Sequence, residues 1–197
     1  NGVVEVNENG QIVKIGAKSN YDAAELENYD GVIIPGFINT HCHLDHICGN
    51  AFVAKEWNLE LEASKLDEYN LELSIQAGKM YNMPIEPSPP ISKDIKVGDE
   101  IKFGNSSFNT LFTPGHSSGS MSFYSAENNV IIAGDVLFQM SIGRTDLPGG
   151  DYNTLINSIR NQLFVLPDET IVYSGHGDET TIGFEKKNNP FLNGQES

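Results

Sequence analysis

The sequence is poor in cysteine, which limits how the fold can be held together. Of its 197 residues only two are cysteine, Cys42 and Cys48. Two thiols this close together, among histidines, are a poor framework for a disulfide-stapled fold. We therefore expect a reducing, cytoplasmic environment, with both thiols serving as small packed side chains rather than as nucleophiles.

Positive charge and long apolar runs are also scarce. Twelve Lys and Arg stand against 27 Asp and Glu, which gives a formal net charge of -15. Such a field repels nucleic-acid phosphates and anionic membrane surfaces, and no run of about 18 apolar residues is present to span a bilayer. We therefore expect neither nucleic acid nor a membrane as a partner; the oligomeric state is left open.

Apolar patterning predicts a single α/β domain over residues 1–197, with sheets covered by helices. The predicted strands are 3–6, 11–15, 31–40, 95–97, 100–103, 107–112, 121–124, 129–133 and 169–173. The predicted helices are 21–29, 46–57, 63–80 and 152–163. Asp151 is expected to cap the last helix, and Trp57 is expected in the core.

The histidines are not scattered along the chain. All five lie in three short loop-like segments that follow strand patterns, and a fourth such segment ends in an aspartate. The four segments are His41-Cys-His43-Leu-Asp45-His46, Thr113-Pro-Gly-His116, Ala133-Gly-Asp135 and Ser174-Gly-His176. Five imidazoles and two carboxylates exceed the roughly three protein ligands of one catalytic zinc ion. They predict a site for two divalent metal ions, with zinc expected and iron or manganese as alternatives.

The order of these motifs resembles the signature of the metallo-β-lactamase-fold hydrolases. The resemblance runs from about Asn39 to Leu192 and includes Gly143-Arg144-Thr145-Asp146. Within that family the chain is most similar to the short, single-domain bacterial relatives of glyoxalase II, the hydroxyacylglutathione hydrolases. The resemblance implies an α/β fold in which two packed sheets lie between helices, the αββα sandwich.

The resemblance also implies a role for each ligand. His41, His43 and His116 would hold one metal ion; Asp45, His46 and His176 would hold the other; Asp135 would bridge the two. Asp45 and Asp135 would also orient the nucleophile and take its proton. True β-lactamases of this fold lack a bridging aspartate at the place of Asp135, which disfavours antibiotic hydrolysis. For Arg144 and Asp146, a structural ion pair and a contact to substrate are equally consistent with the sequence.

The first part of the chain departs from this pattern. Residues 1–43 resemble the opening of amidohydrolase-superfamily enzymes, so 1–38 is an atypical segment for the metallo-β-lactamase fold. An amidohydrolase barrel needs about 250 residues, so the bulk of the chain must follow the other fold. We expect the hairpin at 3–15 to replace the missing edge strands; otherwise an incomplete sheet would favour aggregation.

The function that these inferences predict is hydrolysis of a small-molecule thioester, such as a hydroxyacyl-glutathione, at a binuclear metal site. Two alternatives are carried with it. The Gly-Arg-Thr-Asp turn also occurs in persulfide dioxygenases, which are mononuclear iron enzymes of the same superfamily. The foreign N-terminal segment would also fit a metal-binding but inactive chimeric protein.

Overall fold

A computed structural model describes residues 2–6, 12–17, 36–83, 85–103 and 106–193. Its strands are β1 (Gly2–Val6), β2 (Ile12–Ala17), β3 (Gly36–Ile38), β4 (Glu60–Ala63), β5 (Ile91–Asp94), β6 (Glu100–Phe103), β7 (Ser106–Phe112), β8 (Met121–Ser125), β9 (Val130–Gly134), β10 (Leu137–Phe138), β11 (Ser141–Ile142), β12 (Ile171–Ser174) and β13 (Thr180–Thr181). Its helices are α1 (Leu44–Ile47), α2 (Asn50–Trp57), α3 (Glu68–Met80), α4 (Tyr152–Ser158) and α5 (Ile182–Asn188).

Two sheets form the centre of the fold. The larger has six strands in the order β13-β12-β9-β8-β7-β6, and the smaller has three parallel strands in the order β3-β4-β5. In the larger sheet β12 runs parallel to β9, and the other neighbours are antiparallel. Because antiparallel β8 separates β7 from β9, the strands β7, β9 and β12 all point the same way. Their carboxyl ends therefore meet at one edge of the sheet.

Three apolar clusters show the layer order. Ile38 of β3 packs against a cluster that contains Met121 and Phe123 of β8, so the two sheets face each other. The opposite face of the smaller sheet packs Leu61 against α1 and α3, through Ile47 and Leu71. The outer face of the larger sheet packs against α4, α5 and the turn of π-helix at Ile159–Leu163. The order is helix, sheet, sheet, helix, as predicted.

The helices begin and end at residues with capping chemistry. Asp151 accepts a hydrogen bond of 2.7 Å from the Thr154 N–H, which satisfies a free donor in the first turn of α4 and confirms the predicted cap. Thr181 caps α5 in the same way through the Phe184 N–H. At its other end, α2 stops at Asn58, which adopts the left-handed conformation with φ of 52°.

Several predicted helices differ from those observed. The predicted helix 46–57 is two helices, because the chain turns at Cys48 and Gly49 between α1 and α2. The predicted helix 63–80 begins only at Glu68, after β4 and a short turn of 3-10 helix at Lys65–Asp67. The predicted helix 21–29 lies outside the described residues.

Two predicted environments and one predicted strand are also wrong. Trp57 is 39% exposed and pairs edge to face with Phe52 at the surface rather than joining the core. Cys42 is buried as expected, but Cys48 is exposed. The predicted strand 95–97 lies earlier, as β5. The other strands agree within about two residues over the described part of the chain, although only the end of the predicted strand 31–40 falls there.

The hairpin does not extend either large sheet. Strands β1 and β2 pair with each other as a separate two-stranded sheet, which contradicts the expectation that they supply edge strands. The inner face of the larger sheet is correspondingly only partly covered: Ile132 lies opposite Phe123 and beside Tyr173, yet is 39% exposed. Among the described residues no helix is long and apolar enough to cross a membrane.

Candidate metal centre

The seven predicted ligands lie near the carboxyl ends of four strands: five are in the loops that follow these strands, and Asp45 and His46 are in α1, directly after the loop that follows β3. His41 follows β3, His116 follows β7, Asp135 follows β9 and His176 follows β12. The loop after β3 is fixed to both sheets, because the Met121 N–H donates to Thr40 O at 2.8 Å and the Asn39 N–H donates to Glu62 O at 3.0 Å. The strand ends thus bring segments that are distant in sequence to one place.

Three imidazoles form the first group of ligand atoms. His43 Nδ1 lies 2.9 Å from His116 Nε2, which lies 3.2 Å from His41 Nε2. The outer ring nitrogens have their own partners: the His116 Nδ1 atom is 2.8 Å from Arg144 O and the His41 Nδ1 atom is 3.1 Å from Thr40 Oγ1. With its Nδ1–H donating to that carbonyl, His116 presents a bare Nε2 to the group, the arrangement that orients metal-binding histidines.

The second group combines two imidazoles with two carboxylates: Asp45, His46, Asp135 and His176. The His176 Nε2 atom lies 2.9 Å from Asp45 Oδ2 and 3.5 Å from Asp135 Oδ2. Asp135 also approaches the first group, since its Oδ2 lies 3.6 Å from His116 Nε2. The carboxylate of Asp135 therefore stands between the two groups, where the resemblance implied a bridging ligand.

The unsatisfied atoms of the site fit a cation. His46 Nε2 and Asp135 Oδ1 are buried, lie 3.3 Å apart and have no hydrogen-bond partner. Buried polar atoms without partners are costly and rare in native proteins. Divalent ions coordinated by imidazole and carboxylate would satisfy His46 and Asp135, so the donor set fits two metal ions.

The two groups differ in how their surroundings shift the pKa values of their histidines. Burial and the neighbouring imidazoles together lower the pKa of His41 far below its usual value, and burial and His116 together lower that of His43 to about 4. These shifts favour the neutral imidazole, the form that coordinates metal. Burial also acts to lower the pKa of His46, but the facing Asp135 and Asp45 outweigh it and raise that pKa.

A cavity of about 440 Å³ opens on the ligands. Its lining combines ligand side chains with apolar ones and one guanidinium: His43, Asp45, His116, Asp135, Phe138, Ser141, Ile142, Arg144, Leu147 and His176. Arg144 forms a two-pronged ion pair with Asp146, at 2.7 Å for both contacts, and both side chains are largely exposed. This pair holds the pKa of Asp146 at about 2. The Arg144 carbonyl has a separate structural role in holding His116.

The thiols do not contribute a nucleophile to this cavity. Burial, with a smaller contribution from neighbouring acidic groups, raises the pKa of Cys42 to about 12. Cys48 is exposed, with its Sγ 3.6 Å from Asp45 O. A buried residue that the sequence analysis missed, Asp67, instead contacts the backbone of two ligand loops. Its position in an acidic stretch carried no local motif that would have identified it.

Comparisons with known proteins agree with this geometry. The family model described as the metallo-beta-lactamase superfamily matches residues 19–176, so the match begins upstream of Asn39, where the motifs had placed the start of the resemblance. The chain is 36% identical over 187 residues to the hydroxyacylglutathione hydrolase GloC of Haemophilus influenzae, which covers 94% of this chain and 88% of the relative. It is 41% identical over 156 residues to the probable metallo-hydrolase YqgX of Bacillus subtilis, covering 79% of this chain and 74% of the relative.

Solved structures show the same fold. BLEG-1, described as a B3 metallo-beta-lactamase, aligns with a TM-score of 0.75 and 38% identity over 83% of this chain and 79% of that one. TTHA1623 in a di-iron-bound form aligns with a TM-score of 0.75 and 36% identity over 82% of this chain and 79% of that one. ETHE1 from Myxococcus xanthus aligns less closely, with a TM-score of 0.62 and 29% identity over 78% of this chain and 60% of that one.

The family model covers most of the chain, and the relatives match it over most of their own length. The layer order and the placement of imidazoles and carboxylates at strand ends agree with that match. The chain therefore belongs to the metallo-β-lactamase superfamily.

Proposed function

We propose that the protein is a binuclear metal-dependent hydrolase that cleaves a small thioester. The observation that carries the proposal is the position of Asp135 between two groups of ligand atoms, 3.6 Å from His116 Nε2 in one and 3.5 Å from His176 Nε2 in the other. A site with one shared carboxylate suits two ions rather than one. Hydrolase relatives at 36% and 41% identity support hydrolysis as the class of reaction.

Each ligand residue has a part in the proposed reaction. Two divalent ions bound here would supply a nucleophilic hydroxide near neutral pH and polarise the substrate carbonyl. His41, His43 and His116 would hold the first ion, and Asp45, His46 and His176 would hold the second, with Asp135 shared between them. Asp45 and Asp135 line the cavity, where their carboxylates would accept hydrogen bonds from the attacking water, orient it and take its proton. A thiolate leaves without a dedicated acid because the thiol has a pKa of about 8.5.

The cavity supports a substrate recognised mainly by its acyl part. Apart from histidines, Arg144 is the basic residue among the described residues that line the cavity, and it is already paired with Asp146. The carboxylates of glutathione would therefore meet no unpaired guanidinium or ammonium there. Phe138, Ile142 and Leu147 offer apolar contact to a short acyl chain instead. We accordingly propose a hydroxyacyl thioester in which the thiol part adds little affinity.

The metal content of the purified protein tests the binuclear site. We expect two ions per chain, with zinc first and iron or manganese as alternatives; the di-iron form of TTHA1623 makes iron a specific candidate. Asp135→Asn should lower the stoichiometry towards one ion and reduce turnover by about 100-fold or more. Asp168→Asn is the matched control, because Asp168 pairs with Lys186 at the surface and should leave both quantities unchanged. Two ions retained in Asp135→Asn would contradict a shared carboxylate.

A substrate panel tests the reaction. S-lactoylglutathione and S-lactoyl-N-acetylcysteamine share the acyl group but differ in the carboxylates of the thiol part. We expect turnover of both, with KM values within about tenfold of each other, or about 1.4 kcal/mol. A cephalosporin belongs in the panel because BLEG-1 is described as a β-lactamase, although Asp135 disfavoured that activity. Hydrolysis of the cephalosporin alone would overturn the thioester assignment.

Two alternative functions predict different results in the same measurements. One iron ion per chain with oxygen uptake and no hydrolysis would identify a persulfide dioxygenase, the alternative that the Gly143-Arg144-Thr145-Asp146 turn suggests. Two ions with no turnover of any ester would identify a metal-binding but inactive chimeric protein. We also propose a cytoplasmic location, because Cys42 and Cys48 are both free thiols.

A further inference from the structure

Asp67 is a fully buried carboxylate that is not one of the seven ligands. It lies at the end of the 3-10 turn between β4 and α3. Its Oδ2 accepts a hydrogen bond of 2.9 Å from the Cys42 N–H, and its Oδ1 accepts one of 2.6 Å from the Gly119 N–H and another from the Ser117 hydroxyl. The carboxylate thus has three donors and no cationic partner among them.

The three donors belong to the two loops that carry the first ligand group. Cys42 stands between His41 and His43, and Ser117 directly follows His116. Gly119 allows the close approach, because a Cβ on it would lie 2.8 Å from both Asp67 Oδ1 and Asp67 N. One side chain therefore joins the backbone of the His41–His43 segment to the backbone of the His116 loop.

The chemistry of the donors explains why a carboxylate occupies this place. Two N–H groups and one O–H converge on it, and an acceptor with several lone pairs satisfies all three together. Burial of a charge is unfavourable in itself, so its presence here is accounted for by these hydrogen bonds rather than by packing. An apolar residue of similar size would leave the Cys42 and Gly119 N–H groups without this acceptor.

We propose that Asp67 is a positioning residue of the metal centre. Its carboxylate fixes the spacing between the two loops so that His41, His43 and His116 meet at a single ion. The inference rests on the proposed metal site, but it concerns how the first ligand group is held rather than what reaction follows. Asp67 faces the loop backbones, and it does not line the cavity.

Asp67→Asn tests the proposal with little change in size. An amide has one acceptor oxygen, so either orientation turns an NH₂ group towards the Cys42 N–H or towards the Ser117 and Gly119 donors. We expect the affinity for one of the two ions to fall at least about tenfold, measured by chelator competition, as when supporting partners of metal ligands are removed. The visible spectrum of the Co²⁺-loaded protein should change as well, because it reports the geometry at the ion.

Glu185→Gln is the matched control. Glu185 is the same kind of group, a fully buried carboxylate with three donors, namely the Met140 N–H, the Thr180 hydroxyl and the Asn189 amide. None of these donors belongs to a ligand loop. Both variants should unfold at a lower temperature than the wild type, but only Asp67→Asn should weaken metal binding.

Ser117→Ala keeps the test decisive if Asp67→Asn does not fold. It removes one donor and should weaken the same ion in the same direction, by a smaller factor. Wild-type affinity for both ions in Asp67→Asn would overturn the proposal; if only Ser117→Ala folds, wild-type affinity in that variant would do so. An equal loss of metal affinity in Glu185→Gln would also overturn it. Failure of the wild-type protein to bind metal would instead overturn the proposed function, and with it the role given to Asp67.

Discussion

Gly175 is the position where one methyl group should disable the second ligand group. A Cβ added to Gly175 would lie 2.1 Å from Asp135 Oδ1 and 2.8 Å from His46 Cε1. Ordinary van der Waals contacts of a Cβ begin at 3.4 Å. The methyl group of Gly175→Ala therefore occupies the space that the carboxylate of Asp135 needs.

The backbone at Gly175 is held too firmly to move aside. Its N–H donates to Gly134 O at 2.9 Å, and the preceding Ser174 hydroxyl donates to Leu137 O at 2.7 Å. Gly134 itself has φ of 54° and faces Thr40, so it has little room to follow a shift. The strain is thus expected to fall on the side chain of Asp135.

The size of the displacement determines the expected result. Restoring an ordinary contact requires a shift of about 1.3 Å, the difference between the 2.1 Å and 3.4 Å distances. Metal–ligand distances tolerate only about 0.2 Å. Overpacking of this kind costs about 1–3 kcal/mol of stability, which a folded domain of this size can survive. We therefore expect Gly175→Ala to fold, to bind one ion at least about 100-fold more weakly, and to lose turnover accordingly.

Metal titration by calorimetry, with metal content measured after gel filtration, distinguishes this outcome from general damage. Gly49→Ala is the control, since a Cβ there meets nothing within 4 Å and φ is -92°, which alanine adopts. Its cost should not exceed about 1 kcal/mol, because Gly49 precedes α2 at the N-cap. Cooperative unfolding monitored by circular dichroism confirms that both variants fold. Two ions bound by Gly175→Ala with wild-type affinity would refute the reasoning.

Two further predictions concern stability. Ile132→Thr should reduce light scattering on heating while changing the unfolding free energy by less than about 1 kcal/mol, because Ile132 is 39% exposed on a partly covered sheet face; a loss above about 2 kcal/mol would show that this side chain is part of the core. The metal-free protein should lose stability as the pH falls from 6.5 to about 4. Folding lowers the pKa of His43 to about 4 and lowers that of His41 as well. The unfolded chain therefore binds more protons than the folded protein in this pH range. His46, with a raised pKa, opposes this trend without cancelling it; a melting temperature that is flat or rises on acidification would contradict the assignment.

The side chains that we propose as ligands could be singled out from the sequence because their signal is local. Each of the short strings around His41, His116, Asp135 and His176 follows a strand, and parallel strand directions gather such ends at one edge. The strand and helix patterns predicted sheets covered by helices, and the helix–sheet–sheet–helix order was implied by the family resemblance. Residue spacing alone could not predict which face of a surface helix is buried. The spacing of apolar residues up to Trp57 indicated a buried face, but Trp57 at the end of α2 is 39% exposed. Burial depends on which elements lie opposite, and residue spacing does not contain that information.

The supports of the metal centre were unpredictable for a related reason. Asp67 joins residues 25, 50 and 52 positions away in sequence, and the carbonyl of Arg144 holds a histidine 28 positions away. Such contacts leave no short motif, because the supporting group needs only to accept hydrogen bonds at the right place in space. A motif search therefore detects the ligands but not what holds them. A chain with all seven ligands but no acceptor at the position of Asp67 would still match the motifs, and by the same reasoning it would bind one ion poorly.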